Sequence, residues 1–404
     1  MTGFLRGYED WTLRLLVVLT CVFIGAGGLG AATSVGLMGL LLLPMTFLPA
    51  LRASRAVTQA LVCFAVAVAW IGLSLIWSPY DRPDQLIKLA ILTPLYTLAV
   101  FSFVRLDDDR AQTLLAWLSV SVGLLAVYFL IEAVSGARLS VEFKLAFEPL
   151  QDRDMVLILA NRLLARGLTA FILVGGPVAL ALWIYGSRLA RSIAVGIFLS
   201  GLAGAFAFQV EANAMALLAG VLAGAIAWRF PRTALQLGFW IAAAMIIAAP
   251  LVMGAMLSLI PDSLIDSLPL SWAQRIEIWR FAMDQIAAAP IAGHGLDASR
   301  VINEVTMIRG FEMELLPLHA HNAGLSIWLE TGAIGAILIG GTLIAIGQSL
   351  SQRLIDPLQS ASIAYACTAF FVTVSVGSGI WQEWLHASLA FALAATALIR
   401  KPSA

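Results

Sequence analysis

Apolar runs of about twenty residues recur along the chain, separated for the most part by short polar breaks. A hydrocarbon core about 30 Å thick takes about 20 helical residues to cross. Reading for such runs gives twelve: residues 13–31, 35–51, 57–77, 86–104, 112–134, 167–186, 190–208, 212–229, 234–257, 322–347, 358–378 and 382–400. Lipid offers backbone groups no partner, so each run is expected to be helix rather than strand. The pattern predicts an all-α polytopic membrane protein of about 12 transmembrane helices. The first run is too long for a typical cleaved signal and is taken as a span.

Two longer polar stretches interrupt the pattern, 135–166 and 258–321. They divide the chain into residues 1–257, with nine spans and the loop 135–166; 258–321, one large loop; and 322–404, with three spans. Arg6, Arg52, Arg55, Arg105, Arg110, Arg188, Arg191, Arg229, Arg232, Arg353, Arg400 and Lys401 all fall on one side of this layout. The short connections of the other side carry Arg82 and Lys88. Basic residues stay in the cytoplasm, so both termini are expected there and both long loops on the outer face.

Composition agrees with the pattern: apolar residues make up 61% and charged residues 12%, the make-up of a membrane chain. The formal net charge is zero, which gives no reason to expect nucleic acid as a partner. Cys21, Cys63 and Cys367 each sit inside an apolar run and read as small hydrophobic residues.

The large loop gathers most of the candidate chemistry. Trp272, Ile276, Trp279, Met283 and Ile286 recur at helical spacing, which predicts an amphipathic helix with two tryptophans suited to a membrane interface. Arg275 flanks that stripe. Pro290 ends the helix, and Gly293 and Gly295 permit a tight turn around His294. His319, His321 and Asn322 lead into the tenth span, whose N-terminal N–H groups make a ready anion site; either His321 or Asn322 is placed to cap it. His319 and His321 lack a third ligand at a usual zinc spacing, so the site is read as metal-independent and free of cofactors. Elsewhere, Arg162 and Arg166 stand one turn apart before a span, placed either to snorkel or to hold an anion. Glu211 opens another span, either facing water or contributing to a site.

Taken together, Arg275-x-x-x-Trp279, then Pro290-Ile291-Ala292-Gly293-His294-Gly295, then His321-Asn322-Ala323-Gly324-Leu325 followed by Leu329-Glu330-Thr331-Gly332-Ala333-Ile334-Gly335 resemble the motifs of the O-antigen ligase and polysaccharide polymerase superfamily. That resemblance implies a large periplasmic loop before a late span, about twelve spans and a place in the bacterial inner membrane. It implies a glycosyltransferase of the type C membrane class. Such an enzyme moves a glycan from an undecaprenyl diphosphate carrier to a hydroxyl of lipid A core or of a growing glycan. Carried over by motif, Arg275 binds the diphosphate and His321 lies at the reacting centre, with Glu211 as the alternative base. Trp279, His294, His319 and Asn322 join Arg162 and Arg166 as candidate substrate-binding residues. The family's Ser-Arg pair at a middle span is replaced here by Glu211-Ala212-Asn213-Ala214, and Arg166, with Arg162, is the candidate for the missing charge. A multi-span transporter of lipid-linked or small polar substrates is the alternative. The grouping of polar residues at one face, rather than at the middle of the spans, weighs against it.

Overall fold

The structure is a computed structural model that describes residues 2–51, 54–82, 84–148, 151–353 and 356–400. Among these, seven helices are long and apolar enough to cross a membrane: Arg55–Ile76, Asp108–Ser135, Arg153–Tyr185, Arg188–Ala207, Glu211–Arg229, Ala323–Gln352 and Pro357–Val376. An eighth is formed if Pro231–Ile247 and Ala249–Ser258, bent by 68°, count as one. This is the make-up of a multi-pass membrane protein.

Every apolar run falls on helix, but several are not one straight rod. The run 35–51 divides into Gly30–Leu41 and Leu43–Leu51, with Pro44 opening the second piece. The run 86–104 begins with a π-helical turn, Lys88–Leu92, ahead of Pro94 in Thr93–Val104. The run 234–257 bends just before Pro250. Proline has no N–H to continue the ladder, and its ring crowds the turn before it, so these three breaks fall where a proline starts a new helix; the run 13–31 breaks instead at a turn over residues 26–29 that holds Gly27 and Gly28 at positive φ.

Three arginines of the short connections, Arg105, Arg110 and Arg400, gather at one end. Glu9 pairs with Arg105 at 2.5 Å and Arg110 at 2.7 Å, and Arg400 reaches Asp108 at 2.8 Å. Arg52 and Lys401 lie outside the described residues.

At the opposite end, the two stretches read as loops are largely ordered. Within 135–166, a short helix Arg138–Phe147 precedes Arg153–Tyr185. That span starts well before residue 167 because Asp152 caps it, accepting from the N–H groups of Asp154 at 2.8 Å and Met155 at 3.1 Å. Within 258–321 lie the helices Asp262–Ser267 and Leu270–Ala288. A two-stranded hairpin, Val305–Ile308 with Phe311–Glu314, departs from the all-helical expectation. Arg309 and Gly310, both at positive φ, make the two-residue turn that a hairpin favours.

The amphipathic stripe does form on Leu270–Ala288, but it faces protein rather than a membrane interface. Ile276, Trp279 and Ile286 are buried against Met253, Leu316, Leu325 and Leu329. Each fully buried side chain of this size contributes roughly 1.5–3 kcal/mol, so the stripe fastens the helix across the mouth of Ala323–Arg353.

Two sequence motifs turn out to be halves of one joint. The helix Ala323–Arg353 is broken at Gly332, where φ is 65° and ψ −168°. The groups freed by the break pair with the segment after Pro290. The N–H groups of Ala333 and Ile334 donate to the carbonyls of Pro290 (2.9 Å) and Ile291 (3.2 Å), while His294 and Gly295 donate to Leu329 and Glu330, both at 2.8 Å. Trp70 and Trp77 donate from outside to Thr331 O (3.0 Å) and Gly293 O (3.1 Å). A Cβ at Gly332 would stand 2.2 Å from Ile291 O, and its backbone lies in a region that only glycine populates freely. Gly332→Ala is therefore expected to destabilise the fold by about 2 kcal/mol or more. The check is the apparent Tm of the purified protein in detergent; an unchanged Tm would contradict this account of the joint.

Candidate active site

The joint fixes one wall of a polar cluster, and the bend between the hairpin and Ala323–Arg353 supplies its centre. The segment Leu318–His321 is held on several sides. Trp279 Nε1 donates to Ala320 O at 3.1 Å, and Ser299 Oγ sits 3.0 Å from Leu318 O. Asn322 Oδ1 accepts from Leu325 N–H at 3.0 Å. Of the two candidate caps, Asn322 is thus the one that caps the helix. Leu318 (φ 92°) and His321 (φ 48°) are both left-handed, a conformation that persists in such residues only when the surroundings enforce it.

The hydrogen-bond partners assign the imidazole tautomers. His321 Nδ1 lies 3.1 Å from Gly377 O. A carbonyl only accepts, so Nδ1 carries the proton and Nε2 keeps a free lone pair. His319 Nδ1 accepts from the His321 backbone N–H at 3.2 Å, which puts its own proton on Nε2. The two rings meet at 4.2 Å between centroids. Burial holds His321 below its ordinary histidine value, and Arg275 adds to the effect, while the bond to Gly377 opposes it. Burial, then the neighbouring His321, Arg300 and Arg275, push His319 down to about 3. Both rings are neutral near pH 7.

Arg275 is half-buried and makes no hydrogen bond or ion pair among the described residues. It lies over the ring of Trp272 at 4.7 Å. A cation–π contact is worth about 0.5–2 kcal/mol and uses none of the five guanidinium donors. Burial lowers its affinity for protons, and the carboxylate of Glu211, within electrostatic reach, opposes that. A desolvated guanidinium with its donors unused is a site for an anion.

The other candidates divide. Glu211 is exposed and opens Glu211–Arg229 facing Arg275 electrostatically. Arg166 is half-buried, without hydrogen bond or ion pair among the described residues. One residue away, Ala165 O accepts from Asn213 Nδ2 at 3.3 Å, which ties that turn to the start of Glu211–Arg229. Arg162 is exposed, one turn nearer the helix start. Trp279 supports the histidine segment through its indole. His294 stands apart: its Nε2 lies 2.9 Å from Gln285 O, so the ring secures the end of Leu270–Ala288. Gly293 and Gly295 are there for close approach as well as for the turn, since a Cβ on either would come within 2.5 Å of Glu330 or Ser78 backbone.

A second polar group, unmarked in the sequence reading, backs this centre. Arg300 binds Asp297 at 2.9 Å and lies over Tyr80 at 5.7 Å. Burial raises the Asp297 carboxyl above its ordinary value, and Arg300 pulls it back. Glu330, fully buried, accepts from Asp297 N–H at 2.6 Å and meets Ser299 Oγ at 2.5 Å. Ser299 has one proton and two oxygen neighbours, Leu318 O and Glu330 Oε1. The carbonyl can only accept, so a second full bond is completed by a proton on the Glu330 carboxyl. An ionisable residue inside an apolar span is the signal that marks Glu330 from sequence; Arg300 and Asp297 carry no such mark.

Fold and site thus define a multi-pass membrane protein with a neutral histidine, and with arginines that have no ion pair among the described residues, at one end. Over 140 residues the chain is 35% identical to a protein of Rickettsia conorii provisionally named a polysaccharide ligase. It is 32% identical over 137 residues to one of Rickettsia typhi and 33% over 140 to one of Rickettsia felis, both named in the same way. In each case the match spans 33% of this chain and 33% of the relative. The resemblance carried by the motifs is thus met again among curated proteins named for polysaccharide ligation. No family model matches the chain, and no solved structure does.

Proposed function

We propose that this protein is a glycosyltransferase of the O-antigen ligase or polysaccharide polymerase type, moving a glycan from an undecaprenyl diphosphate carrier to an acceptor hydroxyl. The observation that carries the reading is the pairing of a neutral His321, its Nε2 free, with the desolvated and unpaired Arg275. In the proposed reaction His321 Nε2 takes the proton of the acceptor hydroxyl as its oxygen attacks the anomeric carbon. The bond from that carbon to the diphosphate breaks, and Arg275 receives the charge that develops on the leaving group. Arg166 is the second cation for that diphosphate, and Glu211 orients Arg275 or serves as the alternative base. Attack opposite the leaving group inverts the anomeric centre. No cofactor takes part in this scheme.

The reading includes twelve crossings in the bacterial inner membrane, cytoplasmic termini, and a periplasmic face carrying residues 258–321. The acceptor is lipid A core in a ligase and a growing glycan in a polymerase. A deletion strain tests it, with lipopolysaccharide and free polysaccharide resolved by gel. Loss of glycan from lipid A core while long chains accumulate on the carrier is the ligase outcome. Loss of long chains with single repeat units retained is the polymerase outcome. An unchanged pattern in both fractions contradicts the proposal.

A further inference from the structure

Glu330 is fully buried, and no cation pairs with it among the described residues. Arg300, whose guanidinium is within electrostatic reach, is bound to Asp297 at 2.9 Å instead. Burying a carboxylate without a cation is costly, and a neutral carboxyl avoids that cost. The two oxygens of Glu330 meet two groups. Oε2 accepts from Asp297 N–H at 2.6 Å, and Oε1 faces Ser299 Oγ at 2.5 Å. Ser299 Oγ in turn lies 3.0 Å from Leu318 O, three residues before His321. A line of hydrogen bonds thus joins a carboxyl that the transfer scheme leaves unused to the backbone of the histidine segment.

The direction of those bonds turns on one proton. With an acid at Glu330, its O–H donates to Ser299 Oγ and the serine O–H donates to Leu318 O, so each group in the line is paired. With a carboxylate, the serine O–H turns to the charged oxygen, which makes the stronger bond. Leu318 O then faces serine lone pairs instead of a donor. Leu318 and His321 are both left-handed, with φ of 92° and 48°, and such backbone persists only where its surroundings enforce it. Losing the serine bond removes one of those constraints. The charged groups facing Glu330 are Asp297 and, bound to it, Arg300. Lys88 and Glu383 stand beyond, within electrostatic reach of Asp297. The helix Arg55–Leu73 brings an indole, Trp70, to the neighbouring Thr331.

We propose that Glu330 is a positioning acid: protonated, it holds Leu318–His321 in place through Ser299, and loss of its proton to solvent turns Ser299 away and lets the segment go. That the segment carries a catalytic base rests on the function proposed above; the lock itself does not.

The test uses the purified full-length protein in detergent, with two readouts that need no transfer. The infrared difference spectrum between the parent and Glu330→Gln at neutral pH is expected to show the C=O stretch of a protonated carboxyl. Glu330→Gln keeps a neutral donor for Ser299, so amide hydrogen exchange over residues 318–321 is expected to match the parent. Ser299→Ala and Glu330→Ala are expected to speed that exchange about tenfold, the scale of one lost hydrogen bond. Raising the pH of the parent is expected to remove the band. Over the same range, exchange of the segment is expected to quicken beyond its intrinsic pH dependence, a result that needs no variant to fold. Transfer is expected to fall about tenfold in kcat with Ser299→Ala at unchanged KM, and to stay within about twofold with Glu330→Gln. Absence of transfer in the parent contradicts the function proposed above and leaves the band and the exchange standing. A difference spectrum without the carboxyl band overturns the proposal. So does exchange that stays the same once the band is lost, or a segment loosened as much by Glu330→Gln as by Glu330→Ala.

Discussion

His321→Ala is expected to lower transfer by about 10²–10⁴-fold, the range of a positioned general base, while the protein keeps its fold. The size follows from the geometry. Gly377 O fixes the Nδ1 proton and leaves Nε2 unprotonated, and the backbone on either side is clamped by Trp279, Ser299 and Asn322. The pH profile carries a second signature. With His321 held below its ordinary value by burial and Arg275, the acid limb of the rate is expected below pH about 6.5, the value of a free histidine. His321→Ala should abolish that limb. Stability moves in the same sense. Both histidines bind protons more weakly folded than unfolded, so their contribution is whole above pH about 6.5. It is lost as the pH falls toward their folded values, which for His319 is about 3. Transfer by His321→Ala within threefold of the parent would remove the histidine from the mechanism.

Arg275→Ala is expected to cost about 10²–10³ in kcat, the loss seen when one fixed donor to a developing negative charge is removed. Among the described residues no carboxylate is bonded to this side chain, so its charge is available to a ligand rather than spent within the protein. Arg275→Lys should restore part of the rate, because an ammonium keeps the charge but not the bidentate fork. In Arg275→Ala the acid limb should shift, since Arg275 is one of the causes that hold His321 down. Removing that cation raises His321 and moves the limb toward higher pH. A kcat unchanged by Arg275→Ala, with only KM raised, would make Arg275 a uniform binding residue.

Much of this arrangement was legible in the chain. Apolar run length located the helices because lipid enforces that period. The spacing of Trp272, Ile276 and Trp279 marked the helix of the large stretch. What it faces was not legible: the same stripe suits lipid or protein, and only the contacts with Leu316, Leu325 and Leu329 decide. Breaks at Pro44, Pro94 and Pro250 were in plain sight but were read through. His294 and His321 looked alike in sequence. They differ in what their rings meet, Gln285 O in one case and Gly377 O in the other, and Gly377 lies 56 residues from His321. Partners so far along the chain leave no local pattern. The same distance hid the second polar group, in which Glu330 lies 33 residues from Asp297 and 31 from Ser299.

The most direct test uses the purified protein, a labelled undecaprenyl diphosphate glycan and a hydroxyl acceptor, with anomeric configuration read by NMR. The account predicts one undecaprenyl diphosphate released for each glycan transferred, in a linkage inverted relative to the donor. Donor recovered intact, and carried across a liposome membrane without cleavage, would contradict it and restore the transporter.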